Sequence, residues 1–230
     1  MASTVQSSVT APKPASAPAP AADDQSAMMA WFDKNRKLVT YGAVAIAVLA
    51  VGGWLFIETG KRKVLAALEA LDRARSAFEA GNLPVAATEF QRVAQSFSGT
   101  EAGYAAELAV NEVRLASGQI QIAADELKKF AEKNPPAFYA SGAWSMSGGA
   151  LENLKKFDEA AHAYGKAAEL AQEDYRKVDG LLSQARALRL VGKDKEAAAV
   201  LRGIVSKFGR DIPGVAEAEV RLAEWTKGTL

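Results

Sequence analysis

The chain has 230 residues, with 28 Lys and Arg against 27 Asp and Glu, one His, no Cys and 49% apolar residues. Without Cys there is no disulfide, thiolate nucleophile, iron–sulfur ligation or cysteine-held zinc, and a single His leaves no His-rich metal centre. A net charge of +1 lacks the basic excess that nonspecific nucleic-acid binding requires.

Residues 1–27 are mostly Ala, Pro, Ser and Thr, and Pro12, Pro14, Pro18 and Pro20 are half of the chain's prolines. Such a segment cannot bury enough apolar surface to offset its ordering entropy, so 1–30 reads as a disordered, semi-extended tail.

Leu38 to Ile57 is twenty residues without a charge. As a helix rising 1.5 Å per residue it spans about 30 Å, the hydrocarbon thickness of a bilayer. Lys34, Arg36 and Lys37 flank one end and Lys61, Arg62 and Lys63 the other, with Tyr41 and Trp54 near opposite ends, as in an aromatic belt. The apolar run is too long and starts too late for a signal peptide, and its exit, Glu58-Thr59-Gly60-Lys61, has no small-x-small cleavage site. The segment 31–60 therefore reads as an uncleaved single-pass anchor. Three basic residues on each side leave its orientation undecided. Small residues at Gly42, Ala43, Ala47 and Gly53, with Val51, offer a face for close helix packing in lipid.

From residue 61 to 230 the pattern is helical throughout, with glycines at the turns and no sustained period-two alternation. A 37-residue ladder runs through it: Ala86, Ala123, Ala160 and Ala197 coincide without exception. Phe90, Leu127, Tyr164 and Leu201 follow four residues on, and Val93, Phe130, Ala167 and Ile204 three further. Upstream, Ala74, Asn111, Gly148 and Ala185 fall in register, as do Ala70, Glu107, Trp144 and Leu181; Gly81, Gly118 and Gly192 share a turn position that Lys155 fills in the third repeat. Such a period marks a solenoid of stacked hairpins. The reading is all-α: about four helical hairpins of 37 residues, with Val215–Lys227 as a capping helix that presents Ala216, Val220, Ala223 and Trp225 to the last repeat. Lys155 implies a turn of different form, and the residues beyond the usual 34 are expected to lengthen the segments between repeats.

Trp144, Gly148, Phe157, Ala160, Tyr164 and Ala167, and then Gly118, Ala123, Leu127, Phe130 and Pro135, resemble the tetratricopeptide repeat over residues 67–214. The wider layout has a short tail, a Phe32-Asp33-Lys34-Asn35 stretch, an apolar helix ending in Gly53-Trp54 and an Ala-rich repeat domain. It resembles the YfgM-like ancillary subunit of the bacterial Sec translocon. That resemblance implies a bacterial inner-membrane protein with a cytoplasmic N-terminus and a periplasmic repeat domain, contacting the translocon or periplasmic chaperones. A structural subunit of another large membrane complex would carry the same features.

The tetratricopeptide resemblance also implies a binding groove lined by the first helix of each hairpin. That turns Arg75, Phe78, Leu108, Glu112, Leu115, Glu152, Asn153, Leu182, Arg186 and Arg189 towards a helix or extended peptide. Leu108, Leu115 and Leu182 equally suit the inter-repeat core. The Lys/Asn pair with which some relatives grip a C-terminal carboxylate is missing: Leu71, Leu108, Ser145, Arg75, Glu112 and Gly149 stand in those places. No catalytic constellation emerges. His162 would be the base of any triad, but it falls on the helix side away from Ala160, Tyr164 and Ala167, with no Ser or Asp motif to serve it. Gly60-Lys61 lacks the earlier glycine of a phosphate loop, and the paired Asp158-Glu159 and Glu173-Asp174 suit charged helix ends. The expectation is a protein-binding scaffold without enzymatic activity, cofactor, metal, nucleic acid or small-molecule substrate.

Overall fold

The computed structural model describes residues 22–226, apart from the side chains of 22–25, 27 and 55–62. The Ala/Pro tail expected over 1–30 lies outside the described residues as far as residue 21. Ten helices follow among the described residues: α1 (Ala22–Lys34), α2 (Arg36–Glu79), α3 (Leu83–Ser96), α4 (Glu101–Ala116), α5 (Ile120–Glu132), α6 (Ala137–Asn153), α7 (Phe157–Leu170), α8 (Asp174–Leu190), α9 (Asp194–Lys207) and α10 (Val215–Thr226). No described residue is in a strand. By internal contacts the chain separates after Thr59.

In the first unit, residues 22–30 belong to α1 rather than to an irregular tail. Past Pro20 the sequence has no Pro or Gly until Gly42, so nothing interrupts a helix there. The stretch Arg36–Trp54 of α2 is long and apolar enough to cross a membrane, and none of it is buried.

In the second unit the chain reverses four times in one way. The amide of Asn82 donates to the Ala77 carbonyl, Gln119 to Arg114, Lys156 to Leu151 and Lys193 to Leu188, at 2.8–2.9 Å and 37 residues apart each time. This backward bond closes a helix end through a residue with positive φ. Gly81, Gly118 and Gly192 have φ of 74°, 77° and 79°, and Lys155 has 59°. The third turn is therefore not different in form, contrary to expectation: the lysine is held in the same left-handed conformation, which glycine adopts without penalty.

These turns pair the end of α2 with α3, α4 with α5, α6 with α7 and α8 with α9. Ala86, Ala123, Ala160 and Ala197 are all 0% exposed where the paired helices meet. Phe90, Leu127, Tyr164 and Leu201 are buried one turn on, and Val93, Phe130, Ala167 and Ile204 beyond them. Ala74, Gly148 and Ala185 let the first helices approach closely; a Cβ on Gly148 would lie 2.8 Å from the Tyr164 ring. Asn111, the polar member of that row, is buried and satisfied by its own helix. It donates to the Glu107 carbonyl at 3.0 Å and accepts from Arg114 at 2.7 Å. Two buried hydroxyls tie α6 to its neighbours: Ser147 donates to the Ala124 carbonyl at 3.1 Å and Ser141 to the Ala167 carbonyl at 2.8 Å.

The residues beyond the usual 34 do not lengthen the first three connections between hairpins: 97–100, 133–136 and 171–173 are three or four residues long, whereas 208–214, before α10, runs to seven. At the C-terminus α10 continues the ladder, because Val215, Ala218, Leu222 and Trp225 stand 37 residues after Val178, Leu181, Ala185 and Leu188. Val215, Ala218 and Leu222 are buried, with Trp225 packed beside them. The face expected from Ala216, Val220 and Ala223 is exposed instead, because the repeat register orients the helix and places the bulkier set inward.

Two substitutions test this account by denaturant unfolding. Lys155→Gly should stabilise the repeat domain by about 0.5–1 kcal/mol, the relief of a left-handed L-residue less the added chain entropy. Ala160→Leu should destabilise it by about 1–3 kcal/mol, by overpacking a crossing with no spare space.

Candidate protein-binding groove

The first helices of the hairpins repeat three rows of side chains along one side: Leu71, Leu108, Ser145 and Leu182; Arg75, Glu112, Gly149 and Arg186; Phe78, Leu115, Glu152 and Arg189. The first row is largely core. Leu71 and Leu182 are 8% and 7% exposed, and Leu182 packs with Val178, Leu201 and Val215. Leu182 is therefore not presented to a ligand; the repeat that follows covers it. Leu108 and Leu115 are half-buried against the central core, and Phe78 is half-buried against the first. Arg75, Glu112, Asn153, Arg186 and Arg189 are exposed.

The structure joins three of these polar groups into one network. Arg186 donates from Nε and Nη2 to the two carboxylate oxygens of Glu152, at 3.0 and 2.9 Å. The Tyr164 hydroxyl, reaching from α7, donates to Glu152 Oε2 at 2.9 Å. Burial alone would raise the Glu152 carboxyl, but the hydrogen bonds from Arg186 and Tyr164 outweigh it and hold the group below the usual carboxylate range. Burial, and then the bond to that carboxylate, push the Tyr164 phenol up to about 12. Arg189 instead lies 4.4 Å over the Trp225 ring of α10, and Arg176 lies 4.3 Å over Phe138. By contrast, Arg75 and Glu112 make no ion pair among the described residues.

Composition and periodicity did not reveal these contacts. A signal existed: Glu152 and Arg186 are 34 residues apart, one repeat less one helical turn, which brings opposite charges on successive first helices within reach. His162 is exposed, with its ring edge-on to Trp144 at 6.2 Å. Among the described residues no three His, Asp or Glu side chains converge to hold a metal ion.

Residues 55–187 match the model of the tetratricopeptide repeat-like domain. The chain belongs to that family. Such repeats generally mediate protein–protein interactions. Among solved structures it is similar to the putative kinesin light chain nearly identical TPR-like repeats of Podosopora anserina, at 16% identity and a TM-score of 0.53. The match covers 70% of this chain and 85% of that one. A variant of that protein gives the same identity and TM-score, with 84% of its chain covered. No curated protein matches the chain. At this identity the solved structures speak for the fold alone, a tetratricopeptide-type solenoid.

The Glu152 network carries its own tests. Tyr164→Phe should cost about 1.5–3 kcal/mol, one hydrogen bond to a charged and partly buried group. Because Glu152 titrates lower in the folded than in the unfolded chain, its stabilisation is full above the ordinary carboxylate range and is lost as pH falls from that range through the lower pKa of the folded state. Denaturant midpoints followed from about pH 7 to about pH 3 should therefore drop further for the wild type than for Glu152→Gln.

Proposed function

We propose that this chain is a single-pass membrane protein whose tetratricopeptide domain binds other proteins along the groove, with Leu38–Ile57 crossing the bilayer. The observation that carries the membrane half is the exposure of Leu38, Tyr41, Ile46, Leu49 and Trp54, each 64–73% accessible on one uninterrupted helix. Large contiguous apolar surface on a soluble protein is rare, whereas in lipid it is the expected surface of a spanning helix. The groove half rests on the family and on the unpaired Arg75 and Glu112 beside Phe78, Leu108 and Leu115. In this reading Glu152, Arg186 and Arg189 line the groove but bind one another and the cap, so a partner engages chiefly at the first two repeats. It would be a helix or extended segment with apolar residues set between opposite charges.

The finer reading follows the resemblance. The repeat domain lies on the periplasmic side of a bacterial inner membrane and assists secreted proteins near the Sec translocon, with periplasmic chaperones as further contacts.

Alkaline carbonate should leave the wild-type protein in the membrane pellet, and its release intact into the supernatant would end the membrane reading. Ile46→Arg should cost roughly 2.5–3.5 kcal/mol of insertion. A C-terminal reporter active only in the cytoplasm would remove the periplasmic assignment. For the groove, Arg75→Glu with Glu112→Lys should reduce recovery of co-purifying proteins in mild detergent while leaving unfolding unchanged to within about 0.5 kcal/mol each, as for most surface changes. Unchanged recovery would move the contact elsewhere. A fixed, stoichiometric set of co-purifying subunits without translocon components would favour the structural-subunit role.

A further inference from the structure

Among the described residues no hairpin precedes the first, and its outer face is apolar. Val64, Leu65 and Leu68 of α2 are 55%, 61% and 53% exposed. One repeat on, the place of Leu65 is taken by Ala102, which is buried, and then by Tyr139, whose ring packs 5.4 Å from Tyr104 of the preceding repeat. Interior repeats thus cover this position with their predecessor. Terminal repeats of solenoids normally turn a polar face outward, and here that face is greasy. On that face α2, the end of α3, the 97–100 connection and the start of α4 form an open cavity of about 540 Å³, lined by Val64, Ala67, Leu68, Phe97 and Ala102 with Lys63 among the exposed polar residues of its wall. That volume is in the range of ligand pockets, 300–1,000 Å³.

We propose that this cavity binds an anionic phospholipid, one acyl chain lying against Val64, Leu68 and Phe97 and the phosphate meeting Lys63. Two observations select that occupant, the basic cluster and the small apolar area, and a third orients it. Lys61 and Arg62 precede Lys63 in the sequence, and a basic cluster just outside a membrane span attracts anionic headgroups. Glu101 also lines the cavity, so the anion belongs at the Lys63 end. At about 100 Å² each, three aliphatic side chains offer about 300 Å², well short of the roughly 800 Å² per partner of a stable protein interface. The proposal rests on the membrane reading. If Leu38–Ile57 spans the bilayer, Leu68 follows it by eleven residues and even an extended chain keeps it within about 40 Å of lipid.

The test uses the full-length protein in nanodiscs, where the lack of native Cys allows single labels. A fluorophore on Ser98→Cys, at the cavity wall, should be quenched by phosphatidylglycerol with brominated acyl chains and clearly less by brominated phosphatidylcholine. Lys63→Glu should reduce that preference about fivefold, the usual weight of one cation near an anionic surface. Leu68→Glu should lower quenching by both lipids, with circular dichroism checking that the helices persist; Lys63 is exposed, so its variant stands if Leu68→Glu unfolds. A label on Ile46→Cys reports the span independently. Quenching at Ile46 with none at Ser98 would overturn the lipid site while leaving the membrane reading intact, as when a second copy or another protein covers the patch. No quenching at Ile46 would overturn both. Equal quenching at Ser98 by the two lipids, unaltered by Lys63→Glu, would overturn the assignment to an anionic lipid.

Discussion

The distance between the two helices of each hairpin is set by a methyl group. Ala86, Ala123, Ala160 and Ala197 lie at the crossings with no accessible surface, and alanine has no rotamer to vary. Each hairpin therefore presents nearly the same geometry to the next, and the rows above the crossing stay in register over four repeats. At one crossing size is traded plainly: Gly148 leaves room for the large Tyr164 ring, where a Cβ would lie 2.8 Å from it. Dense packing demands this compensation, because neither a void nor an overlap of one methylene passes without cost.

That constraint explains what could be read from the sequence. A residue that must be small every 37 positions leaves a mark that needs no propensity argument, and the hairpins, their buried rows and the turn glycines all follow from it. The misreadings lie where the ladder was not followed far enough. For α10, Ala216, Val220 and Ala223 make a plausible helical stripe, but the register continues through Val178 and Leu181 to Val215 and Ala218, and packing favours the bulkier set. Lys155 was read by residue type, whereas three neighbouring repeats impose the left-handed turn on it. Composition does not mark the start of α1: the Pro-rich character ends at Pro20, ten residues before the expected end of the tail.

The groove was less legible for a different reason. Periodicity reports what every repeat shares, and the polar contacts are what they do not share. Among the described residues only the third and fourth repeats hold a network like that of Glu152, Tyr164 and Arg186, and only the fourth has a tryptophan beneath its arginine. Leu182 looked like Leu108 in sequence, but its neighbours differ. The side chains of α9 and α10 close over Leu182, while the third repeat offers Leu108 only Gly142, too small to bury it.

Glu152 also joins the groove surface to the core. Its carboxylate takes a proton donor from Tyr164, whose ring is the one wedged against Gly148, and two more from Arg186 on the next first helix. Each donor offsets desolvation of the half-buried carboxylate, so removing either leaves a charge with less compensation than water would supply. A ligand that drew Arg186 away would have to replace two hydrogen bonds before gaining anything. Arg75 and Glu112 impose no such cost. In the proposed groove, charge recognition would thus be cheapest at the first two repeats and dearest at the third and fourth, although each of the four carries a charged side chain within those rows.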